Sequence, residues 1–349
     1  MYTSFGCLAV VLGISMAYDL SAFSDIALKS RRLAVDLEDC VGQFLRFDER
    51  LHRADVPLQQ GLRERHDYLE AQGLVGMQGS LVHLEDLVLY DLHSLSRIPD
   101  EDVHLGAVAL GLRRWLCKQR GRQLLSAEAL ERMTGLISPD TTSEESTEDA
   151  LLRSLMEELD RVVKGGPKSS ERGFRDELAG LESLPVMLGS VLLLDYFLCG
   201  AAAARKGAGF VLSAAYLRAR GLVNHHLPAV ARAAWRNRYR HRVDWDPERR
   251  FIALTEVLSN SARLAMDDMN RLALARDTMM ARAARLRQGS RLAELIDLFM
   301  AHPALSIDVM ASKLRVTPQA VEHMLNKQLA GTRPRALSEQ KRFRTFGVL

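Results

Sequence analysis

The chain has 349 residues, of which 47% are hydrophobic and 26% are charged, and its formal net charge is +3. This composition is typical of a globular protein and excludes a collagen-like, coiled-coil or wholly disordered chain. Aromatic residues make up only 6%, and the abundance of Leu, Ala and Arg favours an all-α protein over a sandwich or barrel. The four cysteines form no Cys-x-x-Cys pair. We therefore expect reduced thiols in the cytoplasm, with no disulfide framework, metal site or cofactor.

Two apolar stretches raise the question of export or membrane insertion. The first, Phe5 to Ala17, has the length of a signal-peptide core, but no Lys or Arg precedes it. Met16 offers an alternative start, so residues 1–17 are treated as a doubtful N-terminal extension, with export as the alternative. The second, Pro185 to Ala204, is long enough to span a bilayer, yet Asp195 near its middle would be costly in lipid. We predict a buried helix there and no membrane partner.

Changes in composition divide the remaining chain into four parts. Residues 18–137 are predicted to form an N-terminal helical region. Residues 138–180 are rich in Ser, Thr, Gly and acids, which predicts a polar, acidic connector. Residues 181–288 are predicted to form a central helical region, and residues 289–349 a C-terminal helix-turn-helix.

Apolar residues recur at helical steps in the first and third parts. Near the N-terminus, the predicted apolar face comprises Leu33, Val35, Leu37, Val41, Phe44 and Leu45. Gly73, Gly76 and Gly79 are expected to interrupt the pattern between two helices. A long helix is predicted from about Arg250 to Arg287. Its buried stripe is predicted to comprise Leu254, Leu258, Ala262, Ala265, Met269, Leu272 and Met279.

The pattern that bears most on function lies at the C-terminus. A helix capped by Ser290 is predicted to end at His302-Pro303. Ser306 can cap the next helix, and after a tight turn Thr317 can cap another, with Pro318 at its first position, where a missing N–H costs nothing. Two short helices joined in this way are typical of a helix-turn-helix.

In a DNA-binding helix-turn-helix, the outer face of the second helix, here Thr317–Gln328, enters the major groove. The predicted base-reading residues are Thr317, Gln319, Glu322, His323 and Asn326. The amides of Gln319 and Asn326 suit adenine edges. We expect Lys313, Arg315 and Lys327 to contact phosphates. Arg315 stands in the turn, where such folds often place Gly.

The tail adds a basic element to this pattern. Two short extended runs around Ser338 to Gln340 are predicted to form a β-hairpin wing, whose Lys341, Arg342 and Arg344 would contact the DNA backbone. From Ala301 onwards there are eight Lys and Arg against three Asp and Glu, an excess larger than that of the whole chain. The alternative is a winged helix that packs against protein and binds no DNA.

Other candidate sites carry weaker patterns. The segment 218–250 contains nine arginines against three acids, interleaved with Trp235, Tyr239 and Trp245. Such a segment can hold nucleic acid, an acidic partner or the acidic connector, and the residues do not choose among these. His225 and His226 are adjacent and point in different directions on a helix, so they cannot easily bind one metal ion.

Several stretches resemble an uncharacterised bacterial family of helix-turn-helix proteins of unknown function. They are His83–Asp91, Leu217–Gly221, Arg271–Arg276 and the helix-turn-helix itself, and the resemblance extends over nearly the whole chain after residue 18. The order of parts is also similar to that of Fic-type proteins, which transfer AMP from ATP to a hydroxyl. This second resemblance is distant and implies a Fic-like helical body.

The Fic resemblance implies an inactive site. Cys199 stands at the position of the catalytic His, and Ala203 at that of the acid. Gly207 and Phe210 stand where the family has its two arginines, so we predict no enzyme activity. Arg205 and Lys206 at the start of the following helix could still bind an anion.

The sequence as a whole predicts a DNA-binding transcriptional regulator that binds double-stranded DNA as a homodimer. A dimer is expected because one winged helix alone reads few base pairs. The alternatives are a protein-protein interaction scaffold and a divergent AMP transferase.

Overall fold

The computed structural model describes residues 29–95, 97–119, 181, 184–199, 205–284, 291–332, 334–337 and 345–348. We call residues 29–284 the body and residues 291–348 the C-terminal module. The helices of the body are α1 (Arg31–Arg53), α2 (Val56–Met77), α3 (Leu84–Asp91), α4 (Glu101–Lys118), α5 (Val186–Cys199), α6 (Arg205–Ala219), α7 (Val230–Arg236) and α8 (Pro247–Ala283). The C-terminal module comprises α9 (Leu292–Ala301), β1 (Ala304–Ser306), α10 (Ile307–Leu314), α11 (Pro318–His323), a π-helical turn (Met324–Gln328), β2 (Arg335–Ala336) and β3 (Thr345–Gly347). The predicted mostly helical architecture is confirmed, with a small antiparallel sheet at the C-terminus.

The long helix α8 connects two apolar cores. All seven residues of its predicted stripe are buried, because α8 packs on α1 and then on the C-terminal module. Its first half, through Ala262, contributes to the core of the body. Its second half, from Ala265 to Met279, joins the core of the C-terminal module, which also takes Phe47 and Leu51 from α1. Helices α1 and α8 therefore contribute side chains to both cores.

Two details of the predicted N-terminal helices are wrong. Gly73 and Gly76 lie inside α2 and do not separate two helices. A Cβ at Gly73 would overlap the backbone of α7, and one at Gly76 would overlap the indole of Trp235. These glycines therefore serve close helix packing. On α1, Val35 and Leu45 belong to the predicted apolar face but are 52% and 49% exposed.

The apolar stretch around Asp195 forms the buried helix α5, as predicted. Its neighbour α6 packs against it, with the Ser190 and Ser213 hydroxyls 2.7 Å apart and the Tyr216 hydroxyl donating to the Leu181 carbonyl at 3.0 Å. Within the described ranges, no helix combines the length and the apolar character needed to cross a membrane.

A buried carboxylate fastens the stretch before α7 to α1. Asp48 accepts hydrogen bonds from the backbone N–H groups of Asn224 and His225, at 3.0 and 2.9 Å. His226 Nδ1 lies 3.1 Å from the same carboxylate. Burial lowers the pKa of His226 to about 4. Although burial alone would raise the pKa of Asp48, these hydrogen bonds hold it below its ordinary value.

A second buried group of charges fastens α7 itself. Glu70 accepts from the backbone N–H groups of Ala231 and Arg232 in the first turn of α7, at 3.1 and 2.9 Å. The Arg232 guanidinium donates to both oxygens of Asp268 on α8, and His66 Nε2 lies 3.2 Å from the same carboxylate. Burial alone would raise the pKa of Asp268, but these two partners hold it well below its usual range.

One buried arginine connects the body to the C-terminal module through hydrogen bonds. Arg65 of α2 donates to the carbonyls of Phe299, Met300 and His302 at the end of α9, at 2.8 to 3.0 Å. It also donates to Val348 O at 2.7 Å. The last carbonyls of a helix have no partner within the helix, so a guanidinium with five donors suits this place.

Candidate nucleic-acid interface

The predicted caps of the helix-turn-helix are confirmed. The Ser306 side chain accepts a hydrogen bond from Val309 N at the start of α10. The Thr317 side chain accepts one from Ala320 N at 3.2 Å, and Pro318 occupies the first position of α11. These caps satisfy backbone donors that the helix itself leaves unpaired. They therefore fix where each of the two short helices begins.

The turn between α10 and α11 is closed by a left-handed residue. Arg315 has φ 53° and ψ 46°, a region that glycine enters at low cost and that other residues seldom adopt. Val316 N donates to Ala311 O at 3.0 Å and Arg315 N donates to Ser312 O at 3.2 Å, which satisfies carbonyls at the end of α10. The turn thus has the geometry for which many such folds use Gly, and Arg315 adopts it.

The second helix presents two faces of opposite character. Val321, Met324 and Leu325 are buried in the core of the module, at 0%, 6% and 0% exposure. The predicted base-reading residues lie on the other side: Thr317, Gln319, His323 and Asn326 are exposed, and Glu322 is half-buried. The helix continues as a π-helical turn over Met324–Gln328, so the polar face extends as far as the sequence predicted.

The three cations predicted to contact phosphates are at the protein surface. Lys313, Arg315 and Lys327 are all exposed. They lie at the end of α10, in the turn and in the π-helical turn. Exposed cations and exposed or half-buried hydrogen-bonding side chains therefore both occur along α10, the turn and the second helix, and we call this set the recognition face. It comprises Lys313, Arg315, Thr317, Gln319, Glu322, His323, Asn326 and Lys327.

A three-stranded antiparallel sheet adjoins the helices in the order β1-β3-β2. Leu305 pairs with Phe346, and Arg335 with Gly347. The strands β2 and β3 lie on either side of the run predicted to form a wing. Arg335 on β2 is ion-paired with Glu85 of α3 at 2.6 Å, so the sheet also contacts the body.

Several predicted features lie outside the described residues. These are the extension 1–17, the connector 138–180, the Ser290 cap, and the wing residues Lys341, Arg342 and Arg344. Arg205 and Lys206 begin α6, but their side chains fall outside the described part of the structure.

The arginine-rich segment 218–250 separates into two groups. Arg232 and Arg250 are buried and paired with Asp268 and Asp195. Arginines such as Arg236 remain exposed. The sequence alone did not distinguish them, because their partners lie on other helices.

Sequence reasoning overlooked a cluster of three metal-ligating groups at the end of α5. Asp195 Oδ1 and Cys199 Sγ lie 3.8 and 3.4 Å from His241 Nε2, and the three ligand atoms lie within 4.8 Å of one another. The spacing of Asp195 and Cys199, one helical turn apart, was the available sign. His241 is 42 residues farther along the chain.

Comparisons with known proteins match both parts of the chain. Residues 171–284 match a family model described as "Protein of unknown function (DUF1612)", and residues 292–349 match one described as "HTH DNA binding domain". The chain therefore carries a helix-turn-helix DNA-binding domain at its C-terminal end.

A relative also aligns along nearly the whole chain. It is described as "Uncharacterized protein y4cF" of Sinorhizobium fredii (strain NBRC 101917 / NGR234). The two are 27% identical in an alignment of 394 residue positions, which takes in 96% of this chain and 100% of the relative. The predicted resemblance to an uncharacterised helix-turn-helix family is thus confirmed in this coarser form. The resemblance to Fic-type proteins remains a prediction.

Proposed function

We propose that this protein is a transcriptional regulator that binds double-stranded DNA with the Thr317–Gln328 helix in the major groove. One observation carries the proposal: within a domain that matches a DNA-binding helix-turn-helix, the inner side of this helix is buried and its polar side is exposed. The exposed side carries amides, which suit base edges, and Arg315 and Lys327 on either side of it in the chain carry charges that suit phosphates.

The roles within the recognition face follow from chemistry. Gln319 and Asn326 carry amides that can donate and accept at once, as an adenine edge requires. Lys313, Arg315 and Lys327 are assigned to phosphates, where their positive charges would strengthen binding to any sequence. The wing would add backbone contacts through Lys341, Arg342 and Arg344.

The body has a supporting role in this proposal. It would hold two copies in register on a two-fold operator, since specificity grows with the second half-site. We also propose that it does not transfer AMP. Cys199, at the position expected for the catalytic base, has a thiol whose pKa burial raises to about 12. Phe210 is fully buried where the family would need an arginine.

The test begins with DNA recovered by pull-down of the tagged full-length protein and sequencing. On the enriched sequence, Gln319→Ala should weaken binding by about 1–3 kcal/mol, or roughly 5- to 150-fold, and relax preference at one position. Lys327→Ala should weaken binding to all sequences alike and lower the slope of log affinity against log salt by about 1. Fluorescence anisotropy at several salt concentrations measures both effects.

Lys118→Ala is the matched control, because Lys118 is an exposed lysine at the end of α4 in the body. It should leave both affinity and salt slope unchanged. If Gln319→Ala and Lys327→Ala bind as the wild type does, the recognition face has been assigned wrongly. Transfer of label from ATP to protein would instead favour the AMP transferase, and recovery of protein without DNA would favour the scaffold.

A further inference from the structure

We propose that Asp195, Cys199 and His241 form a Zn²⁺ site in the body, with a fourth coordination position left for water or another small ligand. The site is separate from the recognition face and rests on different observations. Asp195 and Cys199 come from successive turns of α5, and His241 comes from the segment between α7 and α8.

The two distances to His241 Nε2 are close to those around a tetrahedral ion, and all three ligand atoms lie within 4.8 Å of one another. With bonds of about 2.0–2.3 Å, the ligand atoms of a tetrahedral zinc site lie about 3.3–3.6 Å apart. Cys199 Sγ and His241 Nε2 are 3.4 Å apart, and His241 Nε2 and Asp195 Oδ1 are 3.8 Å apart. Side-chain shifts of a few tenths of an ångström would bring these edges to the expected lengths. Sulfur, imidazole nitrogen and carboxylate oxygen are the donor atoms that zinc takes in proteins.

The imidazole is held in the orientation that a ligand needs. Tyr239 Oη lies 3.0 Å from His241 Nδ1. When Nδ1–H donates to this hydroxyl, Nε2 carries the lone pair and points at the thiol and the carboxylate. A ligating histidine commonly has such a partner at its second nitrogen, which fixes the tautomer and the ring plane. The His241 side chain is 5% exposed, so packing also restrains it.

Pairing with arginine does not by itself exclude the Asp195 carboxylate as a metal ligand. Arg250 donates from Nε to Asp195 Oδ1 at 2.9 Å and from a terminal nitrogen to Oδ2 at 3.1 Å. Each carboxylate oxygen has two lone pairs, so the hydrogen bond from Arg250 does not by itself prevent Oδ1 from binding a metal. The guanidinium would then orient the carboxylate from outside the coordination sphere.

A catalytic thiol is a poorer account of the same residues. In a nucleophile–histidine–acid relay, the nucleophile and the acid contact opposite nitrogens of the ring. Here Cys199 and Asp195 both approach Nε2.

Metal content of the full-length chain tests the site. Protein treated with a chelator, reloaded with Zn²⁺ and freed of excess metal should retain about one zinc per chain, measured by plasma mass spectrometry. Cys199→Ala should weaken zinc binding by more than about 100-fold, and Tyr239→Phe by about 10- to 100-fold, because loss of an outer partner costs that much. Competition with a chromophoric chelator gives the affinities.

Cys117→Ala is the matched control, since Cys117 is also a partly buried thiol with a carboxylate near it, 3.5 Å from Asp67. It should bind zinc as the wild type does. Loading with Co²⁺ gives a second measurement that needs no variant to fold well: thiolate coordination should produce a charge-transfer band in the near ultraviolet. A wild type that shows no such band, or a Cys199→Ala protein that retains zinc, overturns the proposal.

Discussion

The interior of the body and the interior of the C-terminal module differ in the number of charged side chains that they bury. Among the described residues from 291 onwards, the buried side chains are apolar apart from Thr345. The body instead buries charged or titratable groups at many positions: Asp48, Arg65, His66, Asp67, Glu70, Arg113, Asp195, His226, Arg232 and Arg250. Its buried arginines are held by carboxylates and by backbone carbonyls.

This difference concerns where the charged side chains of each part lie. A buried charge is costly unless it is paired and hydrogen-bonded. The groups in the body meet that condition and fix irregular segments, such as the stretch before α7, against helices. Among the described residues of the C-terminal module, the core is apolar apart from Thr345, and Lys313, Arg315 and Lys327 are at the surface where a polyanion can reach them. The number of arginines in a segment therefore does not indicate its function.

Removal of a buried cation should produce the largest effect. Arg113 donates to Asp67 Oδ1 at 3.0 Å, to Pro228 O at 2.8 Å and to Leu227 O. Arg113→Met would leave the Asp67 carboxylate without its cation and two carbonyls without their guanidinium donor. We expect a loss of about 3–5 kcal/mol in the free energy of unfolding, measured by urea denaturation.

An exposed cation of the module supplies the contrast. Lys313→Met should change the free energy of unfolding by no more than about 0.5 kcal/mol while it weakens DNA binding. If the Arg113 and Lys313 variants lose similar stability, the distinction drawn between the two interiors does not hold.

Acid should destabilise the body through its buried histidines. The pKa of His226 is about 4 in the folded chain, against an ordinary value near 6.5. The unfolded chain therefore takes up a proton first as the pH falls through 6.5, and stability declines until the folded group also titrates near 4. Between pH 7 and pH 4.5 this histidine should cost about 2–3 kcal/mol in the free energy of unfolding.

His226→Asn separates this effect from the rest of the chain. Its amide can still donate to Asp48 but does not titrate, so its stability should vary less with pH than that of the wild type. Burial lowers the pKa of His66 as well, and a smaller dependence of the same sign should persist. Parallel pH profiles for the two proteins would count against the role given to His226.

The smallest expected effect concerns the turn of the helix-turn-helix. Arg315→Gly should raise the free energy of unfolding by about 0.5–1 kcal/mol, because glycine adopts the left-handed conformation without the steric cost. It should also weaken DNA binding, since one phosphate contact is lost.

Lys313→Gly removes a cation in the same way but places glycine in the last turn of α10. That change should lower stability by about 1 kcal/mol. Thermal denaturation of the two variants should therefore shift in opposite directions, while their DNA affinities fall together. A shift in the same direction for both would show that the backbone at Arg315 is not the source of the effect.

The sequence predicted the parts of this structure that depend on nearby residues. The caps at Ser306 and Thr317 and the buried stripe of α8 were correct, because capping and helical periodicity act over a few residues. The same reasoning placed the outer side of the Thr317–Gln328 helix in solvent. It wrongly placed Gly73 and Gly76 at a break between two helices. These glycines allow close packing against α7, which lies more than 150 residues farther along the chain.

The sequence by itself therefore determined the mostly helical character of the described chain, where the helix-turn-helix lies and which of its side chains face outwards. Only the tertiary structure decided which arginines are internal, how Arg65 joins α2 to α9, and that Asp195, Cys199 and His241 meet. The reason is physical: capping and periodicity are local properties of the chain, whereas the partner of a buried charge or a metal-ligating group is set by the packing of elements distant in sequence.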